Sequence, residues 1–147
     1  MAGSMKNSFE TDLLNLIFAN EDIANIGDAG GLLGSVADGS FYIALYTVTP
    51  SDSAAGTECT YTGYARKAIA RDDTKWTVAD NAYENTAVIT FDPCTAGSET
   101  AVSFAVCKAD VEDVDDQILW GDLTSSLAIS NGITPEFAAG ALSGTAD

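Results

Sequence analysis

The fold of this chain is decided by residues 39–50, which read GSFYIALYTVTP. The apolar, aromatic and β-branched residues of this run are typical of a strand, and Pro50 ends it because proline cannot donate a ladder hydrogen bond. Shorter runs of similar texture follow as far as residue 129, separated by turn residues. The pattern predicts a mainly β protein, built as an antiparallel β-sandwich or a barrel-like sheet with an N-terminal α-helix.

The N-terminal helix is predicted over residues 7–20. Phe9 and Leu13 fall on one helical face, and Phe18 widens that apolar face. We interpret the face as part of the core, and its use at a subunit interface is the alternative. These three residues are therefore candidate interface residues.

Length and composition indicate one ordinary domain. The chain has 147 residues, of which 46% are hydrophobic, and a chain of this length buries about two-thirds of its unfolded surface. Residues 1–4, which precede Met5, are typical of an expression scar, and residues 5–147 are predicted to form a single β-sandwich domain. No apolar run approaches the length of a membrane span and no secretion signal is visible, so we expect neither.

The charge of the chain is strongly negative. Acidic residues number 22 and basic residues 6, which gives a net charge of −16. Such a surface repels phosphate backbones and anionic membranes, so neither nucleic acid nor a membrane is an expected partner. We attribute the acidity to solubility, and a basic or cationic partner is the alternative.

The basic residues are clustered, because four of the 6 lie close together at Arg66, Lys67, Arg71 and Lys75. In so acidic a chain, a local positive patch would suit docking between like copies or onto another protein. Pairing with acids of the same chain, such as Asp72, is the alternative, and each exposed pair contributes little. The sequence leaves both interpretations open, and all four residues are candidate interface residues.

The cysteines predict no catalytic or zinc site. Cys59, Cys94 and Cys107 form no C-x-x-C pair, and the chain has no histidine to complete a zinc site or to act as a general base. We expect buried, reduced cysteines in a chain that folds in a cytoplasm. No catalytic residue and no cofactor is predicted, and an enzyme is not expected.

One acidic segment is the candidate for metal binding, at residues 110–116, which read DVEDVDD. Alternate carboxylates supply the oxygen ligands that calcium prefers, but no glycine stands at the turning position of a calcium loop. We favour a solvated acidic turn, and a weak calcium site is the alternative. The candidate ligands are Asp110, Glu112, Asp113, Asp115 and Asp116.

Aromatic residues are spread through the predicted strands, among them Tyr64, Trp76 and Trp120. We expect most of them in the core. An exposed stripe of tyrosine and tryptophan would serve sugar binding or an interface, and no pattern in the sequence selects that interpretation.

The order of landmarks along the chain resembles that of small bacteriophage proteins usually labelled tail fibre protein. The similarity covers about residues 7–142, and each landmark consists of strand and turn residues. The landmarks are Phe41–Thr47 with Pro50, Gly63–Arg66, Ala87–Phe91, Ile118–Leu123 and Gly132–Leu142.

The resemblance implies a β-sandwich virion structural protein, present in many copies and without catalytic residues, which folds in the host cytoplasm. Its partners would be other virion proteins, either the major capsid protein or a tail protein, and further copies of itself as a homo-oligomer. We favour a capsid decoration or cement role, because a small acidic domain without a fibre shaft suits the tiling of a surface. A tail fibre or an adsorption module that binds a receptor or glycan is the alternative.

Overall fold

A computed structural model describes residues 4–111 and 116–146. The protein is mainly β, with antiparallel sheets and one N-terminal helix, which confirms the predicted fold class. Within those ranges, no helix has the length and apolarity needed to cross a membrane. In chain order the elements are helix α1 (Asn7–Leu14), a π-helical turn (Asn15–Ala19) and strands β1 (Ser40–Val48), β2 (Thr57–Glu58), β3 (Lys67–Ala70), β4 (Trp76–Ala79), β5 (Ala82–Asn85), β6 (Ile89–Thr90), β7 (Ser98–Cys107), β8 (Gln117–Ser130), β9 (Glu136–Phe137) and β10 (Ser143–Thr145).

The described part of the chain divides into two compact units. The single β-sandwich domain predicted for residues 5–147 stays a prediction. The first unit contains α1, β4, β5 and β10, and the second contains β1, β2, β7 and β8. By residue number, the first unit is 4–39, 70–88 and 137–146, and the second is 40–69, 89–111 and 116–136.

The second unit is built around β1, the apolar run that predicted the fold. Its sheet has the strand order β2-β1-β7-β8, and β3 also pairs with β1. β1 and β7 are antiparallel, with Tyr42 opposite Cys107 and Tyr46 opposite Ser103. Consecutive residues 43–46 are all buried, so both faces of β1 are covered.

The long strand β8 lies at the edge of this sheet and pairs with β7. Leu127 lies opposite Ala101, whereas Asp122 lies opposite Ser103, so a step of two residues on β7 is matched by five on β8. This irregularity in the ladder places three more residues on β8 than on β7, whereas an ordinary β-bulge inserts one.

The first unit begins with α1, which is shorter than the helix predicted over residues 7–20. The N–H of Asn20 bonds to the carbonyl of Asn15, in the i→i−5 pattern of a π-helix. Asn20 itself is left-handed, at φ 60°, and a residue in that conformation ends a helix. The helical run therefore exists as predicted, but its last turn is π-helical.

Phe18, in the π-helical turn, lies in an aromatic cluster of the first unit. Its side chain is fully buried, and its ring stacks on Tyr83 with centroids 4.1 Å apart. The ring of Trp76 lies 4.8 Å away in a tilted arrangement. Strands β4 and β5 hold these two partners as an antiparallel pair. Aromatic packing therefore joins the helical segment to the hairpin.

The β4–β5 hairpin turns at Asp80 and Asn81. Both residues have positive φ, 49° and 57°, as the central residues of a type I′ turn require. Asp and Asn tolerate this conformation better than most residues, because their short polar side chains bond locally. The Asp-Asn pair is thus the local signal for the turn into β5.

We expect Phe18→Ala to destabilise the first unit by about 3–5 kcal/mol, because it removes a stacked ring and leaves a cavity. Urea unfolding followed by the fluorescence of Trp76 measures this change. The control is Phe9→Ala, which alters a half-buried residue of the same helix and should cost clearly less. Equal losses in the two variants would contradict the central role of Phe18.

Candidate functional site

Arg66, in the second unit, is a buried charged residue with several hydrogen-bond partners. Its Nε and Nη2 atoms donate to the two carboxylate oxygens of Glu58, at 2.9 and 2.8 Å. Its Nη1 atom pairs with the buried carboxylate of Asp116 and donates to the carbonyl of Ala109 at 2.8 Å. The guanidinium is thus held by two carboxylates and by the backbone that precedes β8.

Burial alone would lower the pKa of Arg66, but the hydrogen bonds to Glu58 and Asp116 outweigh that effect. The net result is a pKa above the usual arginine range, so the guanidinium stays charged. Its side chain lies inside the protein, which corrects the sequence-based expectation of a docking residue. A buried group whose charge is already paired presents nothing to a partner surface.

Tyr64 extends this network. Its hydroxyl donates to Glu58 Oε1 at 2.6 Å and accepts the N–H of Leu45 at 3.0 Å. Burial and the adjacent carboxylate raise the pKa of Tyr64 above its ordinary range. Glu58 therefore bonds a cation and a phenol at once, and it links strands β1 and β2 to the arginine.

The other three predicted basic residues have separate surroundings. Lys67 pairs with the exposed Asp92, with Nζ and Oδ2 at 2.8 Å. Arg71 donates to the carbonyls of Ile17 and Leu16, at 2.7 and 2.8 Å, and so occupies free acceptors at the end of the helical segment. Lys75 is exposed. Much of the basic cluster thus serves internal bonding, and an interface role of Lys67, Arg71 and Lys75 stays a prediction.

The apolar interface candidates differ in exposure. Phe18 is buried in the aromatic cluster, whereas Phe9 and Leu13 are half-buried. Phe18 is therefore a core residue, and burial of Phe9 or Leu13 against a partner stays a prediction.

The acidic candidates for calcium binding are only partly covered by the structure. Asp110 is exposed, and Asp116 is buried and paired with Arg66. Glu112, Asp113 and Asp115 lie outside the described residues. Among the residues that are described, no three acidic or cysteine side chains are grouped so as to hold a metal ion. The calcium site stays a prediction.

The three cysteines are buried and free of disulfides, which confirms the predicted burial. Burial raises the pKa of Cys59 to about 12, and the pKa of Cys107 to about 12 as well. A thiol that keeps its proton is a poor nucleophile and a poor metal ligand.

An open groove of about 540 Å³ lies in the second unit, between two segments of the chain. One wall is the loop Pro50–Ala55, and the other is Gln117–Trp120 at the start of β8. A hydrogen bond of 2.8 Å from Thr49 Oγ1 to Asp122 Oδ1 ties the base of the loop to β8. Neither segment was predicted as a site.

The loop that forms one wall has defined backbone geometry. The N–H of Ser51 bonds to the carbonyl of Ala54 at 2.8 Å, and the reverse bond measures 3.2 Å. Gly56, just after the loop, has φ +77°, and a Cβ there would lie 2.4 Å from the carbonyl oxygen of Val48. Only glycine fits this position, so the loop returns to the sheet along a fixed path.

Trp120 gives the groove its aromatic surface. Its side chain is 40% exposed, whereas Trp76 is 1% exposed. Gln117, on the same wall, donates from Nε2 to the hydroxyl of Tyr46 at 3.0 Å. Most of the described aromatic residues are buried, as expected, whereas a few such as Phe9 are half-buried and Trp120 is exposed.

Comparison with known families gives the class of the protein. Residues 4–145 of this chain match the family described as podophage GP4 fiber I protein gp80. The match covers nearly the whole chain, so the chain belongs to this family. No curated protein matches the chain. The protein is therefore a bacteriophage virion structural protein of fibre type, which associates with other virion components.

We expect Arg66→Ala to destabilise the protein by about 3–5 kcal/mol, because it leaves two buried carboxylates without their cation. Equilibrium urea unfolding measures the loss. The matched control is Lys67→Ala, which removes the neighbouring, partly exposed ion pair and should cost about 1 kcal/mol or less. A loss for Arg66→Ala no larger than that of the control would show that the buried pairs do not stabilise the fold.

Stability should also fall at alkaline pH. Burial raises the pKa of Tyr83 to about 12 and that of Tyr61 to about 12, as it does for Cys59 and Cys107. In the unfolded chain such groups lose their protons at about pH 8.5–10, whereas the folded protein keeps them to higher pH. The stabilising effect is complete below about pH 8.5 and is lost as pH rises towards 12.

Urea unfolding at a series of pH values from 7 to 11 tests this expectation. The free energy of unfolding should decrease steadily above about pH 8.5. Tyr83→Phe removes one of the titrating groups and keeps the ring, so the decrease should be shallower in that variant. A free energy that stays constant through this range would refute the predicted pKa changes.

Proposed function

We propose that this protein is a fibre component of the podophage particle, and not a capsid decoration protein. The observation that carries the proposal is the family match, which spans residues 4–145 and describes a fibre protein. The decoration role that the sequence favoured draws no support from that description. The fibre and adsorption interpretation, the alternative in the sequence analysis, agrees with it.

We further propose that the protein acts by binding and not by catalysis, without a cofactor, as a homo-oligomer on the particle. Three observations support a binding role. The chain has no histidine, and the buried ionisable groups around Arg66 bond one another within the chain. The groove beside Trp120 is open to solvent and has a defined wall, as a recognition surface requires.

Immunogold electron microscopy of podophage particles that carry this chain tests the location. With antibody raised against the purified chain, we expect gold at the tail fibres. The control is the same antibody after absorption with an excess of the chain. Gold spread over the head would replace the fibre role by decoration, and particles without gold would refute a virion location.

A further inference from the structure

We propose that the groove between Pro50–Ala55 and Gln117–Trp120 binds a neutral saccharide. The inference rests on the proposed fibre function and deepens it, because it names the class of ligand that the fibre component would recognise. Four properties of the groove carry it, namely its exposed indole, its polar rim, its charge and its fixed loop.

The exposed indole is the first property. Among the aromatic residues that the structure describes, Trp120 alone is exposed, whereas the others are buried or half-buried. An indole offers a flat apolar face together with one N–H donor at its edge. A sugar ring offers the complementary surface, since its C–H groups form an apolar face and its hydroxyls lie at the rim. Trp120 can therefore stack on a sugar ring and donate a hydrogen bond to it.

The polar rim is the second property. Ser51 and Ser53 contribute hydroxyls, which both donate and accept, and Asp52 contributes a carboxylate, which accepts. Saccharide hydroxyls also donate and accept, so each of these groups has a partner on such a ligand. An apolar platform with a few fixed polar groups is the usual composition of a ligand site.

The charge of the groove decides between a neutral and an anionic ligand. Its ten lining residues include one acid, Asp52, and no lysine or arginine. The whole chain carries a net charge of −16, which repels anions at a distance. A phosphate, uronate or sialate group would find no cation here to compensate its burial. A neutral sugar meets no such penalty.

The fixed loop lowers the cost of binding. The paired backbone bonds between Ser51 and Ala54 and the tether from Thr49 to Asp122 hold the wall in place before a ligand arrives. A wall that is already ordered loses little conformational entropy on binding. Because each contact to a sugar is weak, a small entropy loss matters for the affinity of such a ligand.

The test uses the full chain on a glycan array of neutral hexose and N-acetylhexosamine oligosaccharides, with uronic-acid and sialylated oligosaccharides as anionic members. We expect binding to neutral members alone. For each bound glycan, saturation-transfer NMR and titration of tryptophan fluorescence give the contact and the dissociation constant. Trp76 is buried, so the fluorescence change should come from Trp120.

Variants locate the site. Trp120→Ala should weaken binding about tenfold or more, because it removes the stacking surface. Trp120→Phe keeps an aromatic face and should retain part of the affinity. The matched control is Leu33→Ala, which shortens an apolar side chain that is 68% exposed in the first unit and should bind as wild type does. Circular dichroism of each variant verifies that the fold is intact.

Three results would overturn the inference, namely no binding to any neutral glycan, a preference for anionic members, or unchanged affinity in a folded Trp120→Ala variant. Dimerisation in sedimentation that Trp120→Ala abolishes, without any glycan binding, would assign the groove to a second copy instead. A negative result for glycan binding is distinct from a negative result for the fibre location. Gold at the fibres with no bound glycan refutes the ligand, and glycan binding with gold elsewhere refutes the location.

Discussion

The buried guanidinium of Arg66 is the interaction on which the second unit depends. It joins Glu58, on the short strand β2, to Asp116 and to the backbone that leads into β8. Burying these charges costs free energy, which the ion pairs and hydrogen bonds among them offset. The pairing fixes where β8 begins, and the first residues of β8 form one wall of the groove. A buried structural contact thus positions the exposed surface that we propose for recognition.

The same arrangement explains how so acidic a chain uses its few basic residues. Arg66 neutralises two buried acids, Lys67 pairs with Asp92, and Arg71 bonds the carbonyls at the end of the helical segment. These cations act within the fold, so the excess of acidic residues is left to dominate the field around it. The net negative charge therefore disfavours the approach of an anionic ligand. Electrostatics therefore narrows the ligand class even though it supplies no specific contact.

The strands of the second unit follow from local pattern, whereas the bonding of Arg66 does not. An apolar run such as residues 40–48 predicts a buried strand because its residue types suit no other element. Clustering along the chain, however, indicates proximity only between sequence neighbours. Arg66 pairs with a residue 8 positions before it and one 50 positions after it, and no local pattern encodes those contacts. The turn at Asp80 and Asn81, by contrast, had a local signal in its residue types.

The exposure of Trp120 also had a sequence signal, which becomes clear from strand geometry. Residues two apart on a strand share a face, so Trp120 lies on the same face as Asp122. An acidic residue on the same strand face as an aromatic residue indicates that this face is accessible to water. The face is then partly roofed by the Pro50–Ala55 loop, whose path depends on Gly56 and on the bond between Thr49 and Asp122. An open groove rather than a closed pocket results, which suits the neutral saccharide that we propose as its ligand.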